Sequence, residues 1–185
     1  MVSTLWIVIT VVAVIALWAM FAYNAFVRLK NQVENSWSQI DVQLKRRTDL
    51  IPNLISSVKG YMKHEKGTLD SVTSARTAMM NAGSDPTKVA DASNMLTGAL
   101  KSLFAVSESY PDLKANQNFM QLQEELAGTE NKISASRQYY NDSVMDYNTK
   151  LESFPSNMIA GMFHFKEKDL FEIKEVERNA PKVEF

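Results

Sequence analysis

Five charged side chains fall on or beside otherwise apolar positions: Arg47, Arg76, Glu108, Glu130 and Arg137. An ion at a packed position must be paired and hydrogen-bonded, because an uncompensated one costs several kcal/mol. Two carboxylates and three guanidiniums allow two readings. As structure, they form a buried network that fixes the register of antiparallel helices. As chemistry, Glu108 or Glu130 serves as a general acid or base inside a helical bundle. No neighbouring group completes a catalytic set for the second reading.

Metal chemistry is tested by spacing. A di-iron bundle uses inward Glu-x-x-His pairs, but Tyr61 and Gly161 stand three positions before the two histidines, His64 and His164. His64-Glu65-Lys66-Gly67-Thr68 also misses the zinc-protease pattern, which needs a second His where Thr68 stands. There is no G-x-S-x-G, no Cys and no Gly-rich phosphate loop, so the apparatus of hydrolases and phosphotransferases is missing. A formal net charge of -1, with acidic and basic residues interspersed, gives no field for nucleic acid. The sequence therefore predicts no enzyme, no cofactor and no metal.

The elements that would carry these charges read as long helices. From Phe26, apolar residues recur at Leu29, Val33, Trp37, Ile40 and Leu44, then at Ile51, Leu54, Val58 and Tyr61, with Arg47 filling the gap. Alternating steps of three and four make the seam of helix-on-helix packing. Pro52 predicts a kink in this first helix, which should reach residue 62. A second helix is expected over 65–81, with Leu69, Val72, Arg76 and Met79 inward and Asn81-Ala82-Gly83 as its stop. Ser84-Asp85-Pro86 opens a third, with Val89, Ala92, Leu96, Ala99, Leu103, Val106 and Tyr110 inward, which Pro111 ends. A fourth, from about 113 to 152, carries Phe119, Leu122, Leu126, Ile133, Tyr140, Val144, Tyr147 and Leu151, with Glu130 and Arg137 between them.

Upstream of the seam the chain changes character. Residues 1–27 hold no Asp, Glu, Lys, Arg or His, and Leu5 to Ala22 is apolar but for Thr10. About 20 such residues cross a hydrocarbon core of about 30 Å, and Trp6, Trp18, Phe21 and Tyr23 mark its two edges. A cleaved signal would want a basic start and a shorter apolar run. The absence of Cys excludes a lipidated N-terminus and disulfides. Arg28 and Lys30 follow the span closely, and basic residues gather on the cytoplasmic side, so an outside N-terminus and a cytoplasmic body are expected.

These elements assemble into one expectation: an all-α chain whose N-terminal transmembrane helix continues into a long antiparallel four-helix bundle. Its parts are an anchor over 1–27, a bundle over 28–155 and, over 156–185, an apolar segment and charged tail. Antiparallel topology returns the fourth helix to the bilayer near Phe154. The segment MIAGMFHF (158–165) then offers Met158, Ile159, Met162, Phe163 and Phe165 either to lipid or a neighbouring copy, or to the open end of the bundle as core.

Tyr23-Asn24, LKRRTDLIPNLISSVKGYMKHE (44–65), SESYPDLKANQNFMQLQEELAGTENKISASRQYYND (107–142), Tyr147-Asn148 and SFPSNMIA resemble the LemA family of bacterial membrane proteins over nearly the whole chain. The resemblance implies a single-pass protein of the inner (plasma) membrane, N-terminus outside and helical body cytoplasmic, with no catalytic residue or cofactor. The function expected is a non-catalytic scaffold that self-associates and organises a membrane patch or membrane protein assembly, its partners being the bilayer, further copies and possible membrane proteins. The alternative is an adaptor bundle docking one partner, such as an envelope-stress or protease component.

Overall fold

A computed structural model describes residues 2–171, and the expected charged tail beyond 171 lies outside them. The described residues are helical without a strand: α1 (Val2–Lys59), α2 (Lys66–Asn81), α3 (Pro86–Ser107), α4 (Pro111–Lys114), α5 (Gln117–Glu152) and α6 (Ser156–Met162). The chain is all-α, with a long apolar helix at its N-terminus.

Helix α1 runs unbroken from the apolar segment into the body, with Pro52 inside it on an exposed side. The seam becomes buried where α5 packs along it: Phe26, Val33, Ile40, Leu44, Arg47, Ile51, Leu54 and Val58 are buried, while Trp37 and Leu29 are half-buried. The seam fails at its last expected member. Helix α1 ends at Lys59, so Tyr61 is exposed and Met62 takes the buried place. A turn through Gly60 breaks the helical phase that the spacing had extended.

Helices α2 and α3 form a shorter hairpin laid against the distal half of the α1–α5 pair. Its turn is built as the sequence requires. Gly83 takes a left-handed backbone (φ 71°), and Asp85 accepts from the N–H groups of Thr87 and Lys88, with Pro86 in the first turn where a missing N–H costs nothing. Two boundaries differ from expectation. Helix α3 ends at Ser107, and Pro111 opens the short α4 rather than ending α3. Helix α5 starts at Gln117, capped by the Asn116 side chain accepting from Asn118 and Phe119.

Because α2 and α3 are short, the half of the α1–α5 pair nearer the apolar segment needs another cover. After a turn in which His164 takes a left-handed backbone (φ 56°), residues 165–171 supply it as an extended strap antiparallel to α5. Phe171 is buried against Trp37, and Phe165 stacks on Phe26 at 4.9 Å. Two cores result: a distal one around Ile51, Leu54, Leu103 and Phe119, and a proximal one around Phe26, Ile133, Tyr147 and Phe171.

Candidate contact site at the end of the bundle

The five charged candidates separate. Arg47 is buried, its Nη1 2.8 Å from Glu130 Oε2 and its Nη2 donating to Thr97 Oγ1 at 2.9 Å. Burial pushes its guanidinium below the ordinary value; Glu130 opposes that shift and Arg137 reinforces it. Arg137 is buried, donates to Ser93 Oγ at 2.6 Å and stacks over the Phe171 ring at 4.6 Å. Arg76 is half-buried and donates from Nε to the Thr48 carbonyl at 3.0 Å. These contacts tie α1, α2, α3 and α5 together across their layers. Glu108 stands apart: it is exposed just past the end of α3 and pairs with Lys114 of α4. The stripe that suggested it for the network ends one residue earlier, at the buried Ser107.

Glu130 pairs with the Arg47 guanidinium, and both line a cavity of about 200 Å³ with Thr97, Leu100, Phe104 and Leu126, whereas Glu108 lies on the surface. Among the described residues there is no group of three or more metal-ligating side chains. Each guanidinium meets a partner at one position of a neighbouring helix.

The second candidate set lies where the body meets the apolar segment. The structure divides it. Ile159 is buried with Ala160 against Ala22, and Phe165 is half-buried between Phe26 and Tyr23, so both belong to the packing. Met158, Met162 and Phe163 are exposed, and Phe154, absent from the set read in the sequence, is the most exposed of all at 80%. Ring centroids of Phe163 and Tyr23 lie 4.6 Å apart. Arg28 and Lys30 are exposed one to two turns further along α1, with Lys30 3.8 Å from Glu34 in a surface pair of small energetic weight.

Sequence reasoning missed the residues that hold the strap. Asn141 donates to the Phe171 carbonyl at 3.2 Å and accepts its N–H at 2.8 Å. Asn148 does the same for Lys168, at 2.9 and 3.0 Å. Tyr140 and Tyr147 donate their hydroxyls to the carbonyls of Asp169 and Lys166. Burial raises both phenols, Tyr140 to about 12 with a further push from Asp169. The signal was present as a Tyr-Asn pair repeated after seven residues, at 140–141 and 147–148. Seven residues are two helical turns, which puts both pairs on one face of α5.

Comparison with known proteins agrees with this architecture. The LemA family profile matches residues 36–185. Protein LemA of Metamycoplasma hominis is 28% identical over 84% of this chain and 71% of its own length. Magnetosome protein MamQ 2 of Paramagnetospirillum magneticum is 25% identical over 90% of this chain and 71% of its own. Magnetosome protein MamQ of Magnetospirillum gryphiswaldense is 25% identical over 82% and 65%, respectively. With the apolar start of α1, these likenesses mark a membrane-associated helical protein. Since the profile runs from Ser36 to the last residue, well over half of the sequence, the chain belongs to the LemA family.

Proposed function

We propose that this protein is a membrane-anchored, non-catalytic scaffold of the inner (plasma) membrane, whose body faces the cytoplasm, self-associates and organises a membrane patch or membrane protein assembly. The observation that carries this reading is the continuity of α1. One helix of 58 residues joins the apolar segment to the distal core without a hinge of Gly or a loop, so the body stands on its anchor as a rod rather than swinging on a linker. The part of α1 from Arg28 to Lys59 is about 48 Å long at about 1.5 Å per residue. Arg47, Arg76 and Arg137 each meet a partner on a neighbouring helix, which supports a packing role for these charges and a working role for the surface. The relatives named as magnetosome proteins support a role at a membrane.

The mass of the full-length protein in mild detergent tests the proposal. A protein mass that is a multiple of 20.9 kDa is expected; a monomer at every concentration would overturn self-association. The second reading, an adaptor for one partner, is favoured by a cleft of about 710 Å³ between α1 and the strap, lined by Lys30, Glu34, Trp37, Tyr140, Lys166 and Asp169 among others. A monomer that binds one partner protein stoichiometrically through this cleft would support it.

A further inference from the structure

Packing of the body begins before the first charge of the chain. Ala22 is buried in the same core as Ile159 and Ala160 of α6, and Ala19 packs against that core. Arg28 is the first charged side chain. Ala19 and Ala22 precede it by nine and six positions, or about 14 and 9 Å along a helix. Helix α6 is therefore level with apolar residues of α1, on the bilayer side of the first charge. The rings of Tyr23 and Phe163, 4.6 Å apart, fix the same level independently.

The exposed side of α6 and its flanks carries four large apolar side chains among Ser153, Asn157, Gly161 and His164. Phe154, Met158, Met162 and Phe163 are 80, 64, 70 and 50% exposed. Phe21, the neighbour in sequence of the buried Ala22, is itself 67% exposed. Were this level in water, all five would remain uncovered. In lipid they are matched. Exposed Arg28 follows Phe26 by two residues on α1, and exposed Lys166 follows Phe165, which stacks on Phe26; long cationic side chains at such a level reach phosphates while their stems lie on apolar surface.

We infer that α6 and its flanking Phe154 and Phe163 insert into the leaflet from which α1 emerges, as a second, monolayer-deep contact with phospholipid acyl chains, bordered by cations that meet the headgroups. The occupant is the lipid surface, and the argument is the level at which α6 packs on α1. A short helix with a few large apolar side chains binds an interface weakly by itself, but α1 already holds it there, so a weak contact suffices. Two contacts on one leaflet would set the tilt of the rod against the membrane, which a single helical anchor leaves free. This inference rests on the reading of the protein as membrane-anchored.

The chain has no Cys, so single cysteines can carry a nitroxide in the otherwise native full-length protein. Reconstitution in vesicles of phosphatidylethanolamine and phosphatidylglycerol, with Phe21→Cys, Met162→Cys, Met158→Cys and Met145→Cys labelled in turn, tests the proposal. Collision with oxygen and with a water-soluble nickel chelate reports the surroundings of each label. Met162→Cys and Met158→Cys should shift toward oxygen and away from the chelate, as Phe21→Cys does, while Met145→Cys, at an exposed position of α5, does the reverse. Labels at 158 and 162 that behave like 145, with 21 in lipid, would overturn the α6 contact and leave the anchor standing. If 21 also meets the chelate, the anchor itself fails. Dipolar broadening at 162 that disappears on dilution with unlabelled protein would mean that a second copy covers the patch, which also overturns the lipid contact.

Discussion

Arg76 donates from Nε to the carbonyl oxygen of Thr48 at 3.0 Å, and Thr48 is the residue four before Pro52. In a continuous helix that carbonyl would accept the N–H of residue 52, which proline lacks. A side chain from α2 thus satisfies the acceptor that Pro52 orphans in α1, and the docking of one helix compensates a defect in another.

Arg76→Ala should therefore lower stability by about 1.5–3 kcal/mol, the range for a hydrogen bond from a charged donor. In a Pro52→Ala background the cost should shrink, because the restored N–H takes the Thr48 carbonyl. Denaturant unfolding of the four proteins in mild detergent, followed by helical circular dichroism, gives the coupling. Equal costs in both backgrounds would sever the link between Arg76 and Pro52.

Glu130→Ala leaves the Arg47 guanidinium buried without its carboxylate. The loss should be about 2–3 kcal/mol, toward the low side for breaking a buried pair, because Glu130 keeps a 37% exposed side chain and water screens part of the interaction. Glu152→Ala, at an exposed position, should stay within about 0.5 kcal/mol. Replacing both Arg47 and Glu130 by Met should cost less than Glu130→Ala alone, since no ion then remains in the core. Indistinguishable midpoints for the Glu130 and Glu152 variants would mean that the pair does not hold the register.

Much of this packing was legible because it is periodic. Phe26, Ile40, Leu44 and Ile133 recur at helical spacing, and burial follows that spacing closely. What was lost lay where a period stops. Tyr61 continued the arithmetic beyond a helix that ends at Lys59, and Glu108 continued a stripe past Ser107. The division of α6 into inward Ile159 and outward Met158 and Met162 also exceeds what a seven-residue helix can reveal. The strap is a different case. Its extended backbone is gripped by side chains, so residues 165–171 carry little pattern of their own, and Asn141 and Asn148, its main partners, lie outside the apolar period of α5.

The strap therefore yields to point changes on α5. Asn148→Ala removes two hydrogen bonds to Lys168, about 2 kcal/mol at about 1 kcal/mol each. That corresponds to a rise of roughly 30-fold in the open fraction, at about 1.4 kcal/mol per tenfold, and trypsin should cut after Lys166 and Lys168 correspondingly faster. Unchanged cutting rates would mean that Asn148 is not what retains the strap. High pH attacks the same contact through Tyr140, whose hydroxyl donates to Asp169 and whose pKa is pushed up to about 12, chiefly by burial. An unfolded tyrosine loses its proton near about pH 10, where the folded one still holds it, so this contribution is complete below about pH 10. It falls as pH rises from about 10 to 12 and then levels off. Tyr140→Phe should cost about 1 kcal/mol at neutral pH and flatten that decline; Tyr147, also raised by burial, keeps some of the slope. An undiminished slope in the Tyr140→Phe protein would show that the alkaline loss arises elsewhere.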